Sequence, residues 1–246
     1  MSDSNIPSVP PPWTLKGDIY AFLFWTSRVQ ADNLPDMTYS PLEADSSFAK
    51  DQKPLGGLSM MQIIRYTDSP VGPYDELILA PDWNVPKHLA EFIWTDNSDG
   101  STTVKVHPHD AVATESGFSE SATPDSTPFF QATFKPIRYT PSFPFRTSWL
   151  KCLGFDTTLV FPPLPEGAGS QGELPGTDRW CSVVPQQSSS NCKLGWFDLE
   201  QHRDEEGKPT GAFENFWPGW SKWQIGFKME DSVIKFGIPE TWETCR

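Results

Sequence analysis

Apolar residues along this chain come in short runs broken by clusters of Pro, Gly, Ser and Asp, a pattern of strands and turns rather than long helices. Ile19-Tyr20-Ala21-Phe22-Leu23-Phe24-Trp25 predicts a buried strand, since its aromatic and branched side chains suit a pleated surface. Ser59 to Tyr66 predicts a second strand, closed by Thr67-Asp68-Ser69-Pro70. Val71 to Glu76 leads into a third, Leu77-Ile78-Leu79-Ala80, with Glu76 at its mouth. Thr102 to Val106, Phe129 to Phe134, Thr157 to Phe161 and Lys222 to Phe227 predict four more, at a spacing that suits a barrel or a sandwich. Pro86 to Phe92 predicts a short helix, because Pro is tolerated in a first helical turn. That would put Lys87 at a strand-to-helix junction.

The polar stretches divide the rest. Residues 1–12, rich in Ser and Pro, predict an extended arm, and 13–246 predict one domain. Ser40-Pro41-Leu42-Glu43 predicts a turn, while Ala113 to Pro128, Pro162 to Thr177 and the charged Gln201 to Gly211 predict surface loops. No internal repeat is present.

Composition sharpens this into a mostly β (α+β) class. With 25 Pro and 17 Gly in 246 residues, long helices would be interrupted, and 17 Phe and 11 Trp can fill a core or line an apolar cavity. A formal net charge of −13, with no Lys/Arg cluster, excludes nucleic acid as the main partner. The start has no basic segment followed by an apolar run, and no window approaches the ~18 apolar residues of a membrane span, so a cytoplasmic protein that avoids the membrane is expected. Cys152, Cys181, Cys192 and Cys245 contain no Cys-x-x-Cys pair and predict free thiols in a reducing compartment; a Cys181–Cys192 bridge across a Ser-rich loop is the alternative.

The residues that could carry chemistry centre on Trp83-Asn84-Val85-Pro86-Lys87-His88-Leu89. A lysine is a nucleophile only when neutral, and bringing its pKa from ~10.4 to ~7 takes about 4.6 kcal/mol of differential stabilisation. Desolvation or a neighbouring cation can supply it. Trp83, Val85 and Leu89 offer apolar walls, Pro86 restrains the backbone, and His88 is an adjacent, pH-dependent cation. His107-Pro108-His109-Asp110 has ligand-type residues but no further partners in the sequence, so a polar turn is expected, with no metal and no cofactor. Trp217 to Trp223 predicts core and turn, or the lining of a pocket.

Several of these segments occur in an order that resembles the acetoacetate decarboxylase family. Ser40-Pro41-Leu42-Glu43 is similar to the family's early Pro-Leu-Glu segment, and Gly72-Pro73-Tyr74-Asp75-Glu76-Leu77 to its Gly-x-Tyr-x-Glu stretch. The Lys87 segment is similar to Tyr-Pro-Lys-Lys-Leu. Phe161 to Pro165, Gly176 to Trp180 and Phe216 to Gly219 look more like a fungal-type branch. The resemblance implies an antiparallel β-barrel with a few short helices. It also implies Lys87 as Schiff-base nucleophile, Glu76 as proton shuttle or polar orienter, and His88, Tyr74 and Trp83 in contact with substrate. Acetoacetate decarboxylases are themselves an example of a lysine activated by its surroundings. A keto compound processed in secondary metabolism, and a homo-oligomer, are what the likeness suggests.

The chain departs from the family pattern at three places. His88 stands where the decarboxylases have a second lysine, and Asp18, with Lys16 the closest cation, falls near the position of a carboxylate-binding arginine. Between Pro81 and Asp82 a stretch long enough for one barrel strand is absent. The gap reflects either an incorrectly spliced gene model or a pocket rebuilt for other chemistry. Three readings follow: an enzyme acting on a keto compound through a lysine imine or related acid/base step; a non-covalent small-molecule-binding barrel or non-imine enzyme; and a product without activity.

Overall fold

The computed structural model describes residues 9–34, 56–80, 90–114, 117–122, 128–152, 154, 156–163, 176–199 and 220–243; over 108–122 the backbone alone is described. The strands are β1 (Trp13–Thr26), β2 (Gly57–Asp68), β3 (Tyr74–Ala80), β4 (Ala90–Asp96), β5 (Thr102–Thr114), β6 (Gly117–Ala122) and β7 (Phe130–Pro136). They continue as β8 (Phe143–Arg146), β9 (Leu159–Phe161), β10 (Trp180–Val183), β11 (Gln186–Asp198), β12 (Trp223–Phe236) and β13 (Glu240–Trp242). Two five-residue helices, α1 (Arg28–Asp32) and α2 (Ser148–Cys152), complete the described elements. No described helix is long and apolar enough to cross a membrane.

Eight strands run in the order β3-β2-β1-β12-β11-β7-β5-β4, every neighbouring pair antiparallel, and curl into a nearly closed barrel. β6 pairs with β5, β8 with β11, and β13-β10-β9 form a separate small sheet. The expected mostly β architecture with few short helices is therefore what the chain forms.

Alternation along the strands sorts side chains into two cores. The barrel interior holds Tyr20, Phe22 and Phe24 of β1, Met61 and Ile63 of β2, Leu79 of β3, Val104 and Val106 of β5, Phe130, Ala132 and Phe134 of β7, and Phe197 of β11. The outer cluster holds Ile19 and Ala21, Ile64 and Tyr66, and Ile78 from the opposite faces of the same strands, with Leu159 of the small sheet. Leu15 joins it by plain alternation with Ile19 and Ala21, and the register shift between Gly17 and Ile19 puts its partner Ile234 on the same face as Met229. At that corner a Cβ on Gly17 would lie 2.2 Å from the Arg65 carbonyl oxygen, so only glycine allows the approach.

The interior owes its aromatic density to a pair of glycines. Gly195 and Gly226 face each other across β11 and β12. A Cβ on Gly195 would sit 2.3 Å from the Phe134 ring, and one on Gly226 2.6 Å from the Phe197 ring. Phe22, Phe134 and Phe197 occupy that space with centroids 5.0 and 5.1 Å apart across the Phe22–Phe197 and Phe134–Phe197 pairs.

Among the described residues the barrel has one seam. β3 and β4 end the strand order and share no ladder among the described residues. They are joined by residues 81–89, which lie outside the described residues.

Several local expectations change. The helix expected over Pro86 to Phe92 is not formed at its end: Ala90–Phe92 begin β4, whose alternate residues Ala90, Phe92 and Trp94 pack on the interior while its backbone pairs with β5. Glu76 lies inside β3 rather than at its mouth, because ladder pairing with β2 begins at Tyr66↔Tyr74. Ala113 to Pro128 is not all loop, since β6 forms a hairpin with β5 from His109↔Ala122 to Thr114↔Gly117. The bridge weighed as an alternative between Cys181 and Cys192 is not formed, one lying on the small sheet and the other on the barrel sheet; Cys245 lies outside the described residues. The segments Ser40 to Glu43 and Gln201 to Gly211 also lie outside them.

Candidate functional site

The strand Tyr74-Asp75-Glu76-Leu77-Ile78-Leu79-Ala80 decides which polar groups face the barrel interior. Leu77 and Leu79 pack on the interior cluster, whereas Tyr74 and Ile78 pack on the outer one. With a period of two, Asp75 shares the interior face and Glu76 the outer face.

Asp75 is one member of a polar row. Asp18↔Arg65 and Arg65↔Asp75 are register partners across β1, β2 and β3. The Arg65 guanidinium lies 5.5 Å from the Trp94 ring centroid, and the buried Trp94 indole N–H approaches Asp75 without a hydrogen bond of good geometry. Burial pushes the Asp75 carboxyl above the ordinary aspartate range, and Trp94 and Arg65 offset only part of that rise. Trp94 also stacks obliquely on Tyr20, with centroids 5.4 Å apart.

Beyond Tyr20 the row continues as an ion-pair network. Lys228 Nζ lies 5.1 Å from the Tyr20 ring centroid, 3.0 Å from Asp18 Oδ2 and 3.3 Å from Glu230 Oε1. Lys193 pairs with Glu230 at 3.0 Å, Asn191 donates to the same carboxylate, and the Asp231 backbone N–H donates to Asp18 at 3.0 Å. Burial pulls the Lys228 ammonium down, yet Tyr20 and Asp18 outweigh this and hold it above the ordinary lysine range. A second interior row, Phe22, Met61 and Leu79, lies four residues along each strand and is wholly apolar. The interior therefore runs from a charged end to an aromatic end, where Trp220 sits edge-on to Phe22, Phe24 and Phe130.

Glu76 belongs to a separate assembly. Its carboxylate accepts a hydrogen bond from the Tyr66 hydroxyl at 2.9 Å, and the Tyr66 and Tyr74 rings stack at 4.4 Å. Burial first, and Glu76 second, push both tyrosines well above the ordinary phenol range. Of the residues singled out from sequence, the structure thus brings Glu76 and Tyr74 together around Tyr66 on the outer face. Lys87, His88 and Trp83 lie outside the described residues. His107 is buried on β5, opposite Glu91.

No protein-family model matches this chain, and no curated protein matches it. It is similar to a solved structure. That one is described as structural studies of acetoacetate decarboxylase; the two are 12% identical over 99% of this chain and 98% of that one, with a TM-score of 0.47. At that distance the likeness says nothing of the chemistry, which rests on the residues themselves.

Sequence reasoning missed Asp75, Arg65, Trp94 and Lys228. One signal was present: Asp75 stands at even spacing from Leu77 and Leu79. Nothing local pairs Arg65 with Trp94, which are brought together across the seam.

Proposed function

We propose that this chain acts on a small keto compound held in the barrel interior, with Lys87 as the amine that forms an imine. One observation carries the reading: the described residues on either side of 81–89 pack on the interior core. Leu79, just before it, and Ala90 and Phe92, at its end, pack on the interior cluster beside the apolar row. A lysine held beside that apolar row would lose solvation, which favours the neutral amine. Attack of its Nζ on the keto carbon, with loss of water, gives a cationic imine; a carboxylate β to that carbon leaves as carbon dioxide while its bonding electrons pass into the imine as an enamine. Protonation of the enamine carbon and hydrolysis return the lysine.

The charged end supports the same reading from the other side. Lys228 is held as a cation by Asp18 and Glu230, and Lys193 and Lys135 sit in ion pairs, so these lysines are suited to bracing or to anions rather than to carbonyl attack. Arg65 and Asp75 stand where polar groups of the ligand would end. The test is borohydride trapping with β-keto acids and aromatic ketones, followed by peptide mass spectrometry. A reduced adduct on Lys87 is expected; turnover of any of these compounds without an adduct would overturn the imine.

A non-covalent binding barrel is the second reading, and the position of Glu76 favours it: the carboxylate that the resemblance makes a proton shuttle points to the outer face and is engaged by Tyr66. In that case Lys87→Ala keeps ligand affinity.

A further inference from the structure

The segment His107-Pro108-His109-Asp110, expected as a polar turn, lies inside β5 instead. As a turn it lacked a further donor; as a strand it gains one. Ala90, Phe92 and Trp94 of β4 and Val104 and Val106 of β5 pack on the interior cluster, so the residues that alternate with them face outward. On that outward face Glu91 stands directly opposite His107 in the ladder. His109, two residues along β5, holds a register position of the same face.

This is not a solvated surface pair. His107 is only 5% exposed although it belongs to the outer face, and Glu91 beside it is half-buried. Glu91 Oε2 is itself buried and takes no hydrogen bond among the described residues. A buried carboxylate oxygen without a donor carries a desolvation cost that a bound cation would offset.

We propose that Glu91, His107 and His109 bind a zinc-class divalent ion on the outer face of the barrel. Two imidazoles and a carboxylate are the mixed nitrogen and oxygen donors that suit Zn²⁺, whereas Mg²⁺ and Ca²⁺ take oxygen donors. Opposite residues of an antiparallel pair have Cβ atoms ~4.5–5.5 Å apart, and residues two apart on a strand are ~7 Å apart. Side chains of this length can span such separations to meet one ion at ~2.0–2.2 Å. Pro108 fixes its own φ and keeps His107 extended, so the backbone between the histidines is set before the ion arrives. Because the donors lie on the face opposite the apolar row, the ion takes no part in the imine. Its work is to tie β4, the last strand of the order, to β5 at the end that residues 81–89 lead into.

Isothermal titration of Zn²⁺ into the full chain, stripped with EDTA and dialysed, tests this. A single ion per chain is expected. Glu91→Gln, His107→Gln and His109→Ala should each weaken binding at least ~10-fold, while His202→Ala binds as the wild type does. Zn²⁺ should also raise the Tm of the wild type and leave that of Glu91→Gln in place. Co²⁺ as a substitute should give visible ligand-field bands without a thiolate charge-transfer band, since no cysteine is a donor. Absence of binding, an unchanged affinity in Glu91→Gln or His109→Ala, a thiolate band, or a wild-type Tm that does not rise would each overturn the proposal. Should His107→Gln, whose side chain is buried, fail to fold, Glu91→Gln and His109→Ala decide.

Discussion

Arg65 on β2 and Trp94 on β4 meet across the seam between β3 and β4, guanidinium carbon 5.5 Å from ring centroid. Here backbone pairing ends and side chains take over: Trp94 reaches Arg65, Asp75 and Tyr20 on three different strands. Trp94→Ala should therefore be the most damaging single change at the seam. A loss approaching the ~3–5 kcal/mol of buried Trp truncations is expected, against about 1 kcal/mol for Arg65→Ala. Urea unfolding of the two variants measures both, and equal losses would show that the indole does not close the barrel.

The Gly195–Gly226 pair makes room for the interior rings. Gly226→Ala drives a methyl into Phe197 and into the Ala21 carbonyl, and should cost about 1–3 kcal/mol. Gly237→Ala, where nothing lies within 4 Å of the added carbon, should stay within about 0.5 kcal/mol. Thermal unfolding compares them, and a neutral Gly226→Ala would contradict the packing.

Two carboxyls at the charged end should respond to pH with opposite sign. Asp75 has a raised folded pKa, mainly through burial, so the native state binds more protons than the unfolded one and stability falls as pH rises through the window above the unfolded aspartate value of ~3.9. Asp75→Asn should then stabilise at pH 7 and be neutral near pH 3. Glu230 is pushed up by burial but held below its ordinary range by Lys193 and Lys228. Its contribution is present above the unfolded glutamate value of ~4.3 and is lost as pH falls through the lower folded value. Glu230→Gln should then destabilise at pH 7 and not at pH 2. Denaturation midpoints across pH decide, and parallel profiles for the two variants would refute the assignment.

Tyr66 and Glu76 form a hydrogen bond to a charged acceptor, a class worth about 1.5–3 kcal/mol. A double-mutant cycle of Tyr66→Phe and Glu76→Ala should return a coupling energy near that range. Zero coupling would mean that Glu76 is not braced by the phenol. If the ligand lies in the interior, Asp75→Asn should alter its binding while Glu76→Gln acts mainly on stability; isothermal titration with a compound trapped on Lys87 separates the two.

What the sequence determined by itself was the strand class and most of its members. Aromatic and branched runs such as Ile19 to Trp25 and Ser59 to Tyr66 have few alternatives to a pleated sheet, and proline and glycine end them. The period of two in Asp75, Leu77 and Leu79 already carried the facing of Asp75 against Glu76. β11 was not legible, because Gln186-Gln187-Ser188-Ser189-Ser190-Asn191 has low strand propensity and becomes a strand only through partners on both sides. The end of the helix expected over Pro86 to Phe92 was overridden in the same way, by β5. The register bend at Gly17, the seam between β3 and β4, and the meeting of Arg65 with Trp94 were decided by tertiary structure alone. They depend on which strands lie beside each other, and local side-chain chemistry does not encode distance across a barrel.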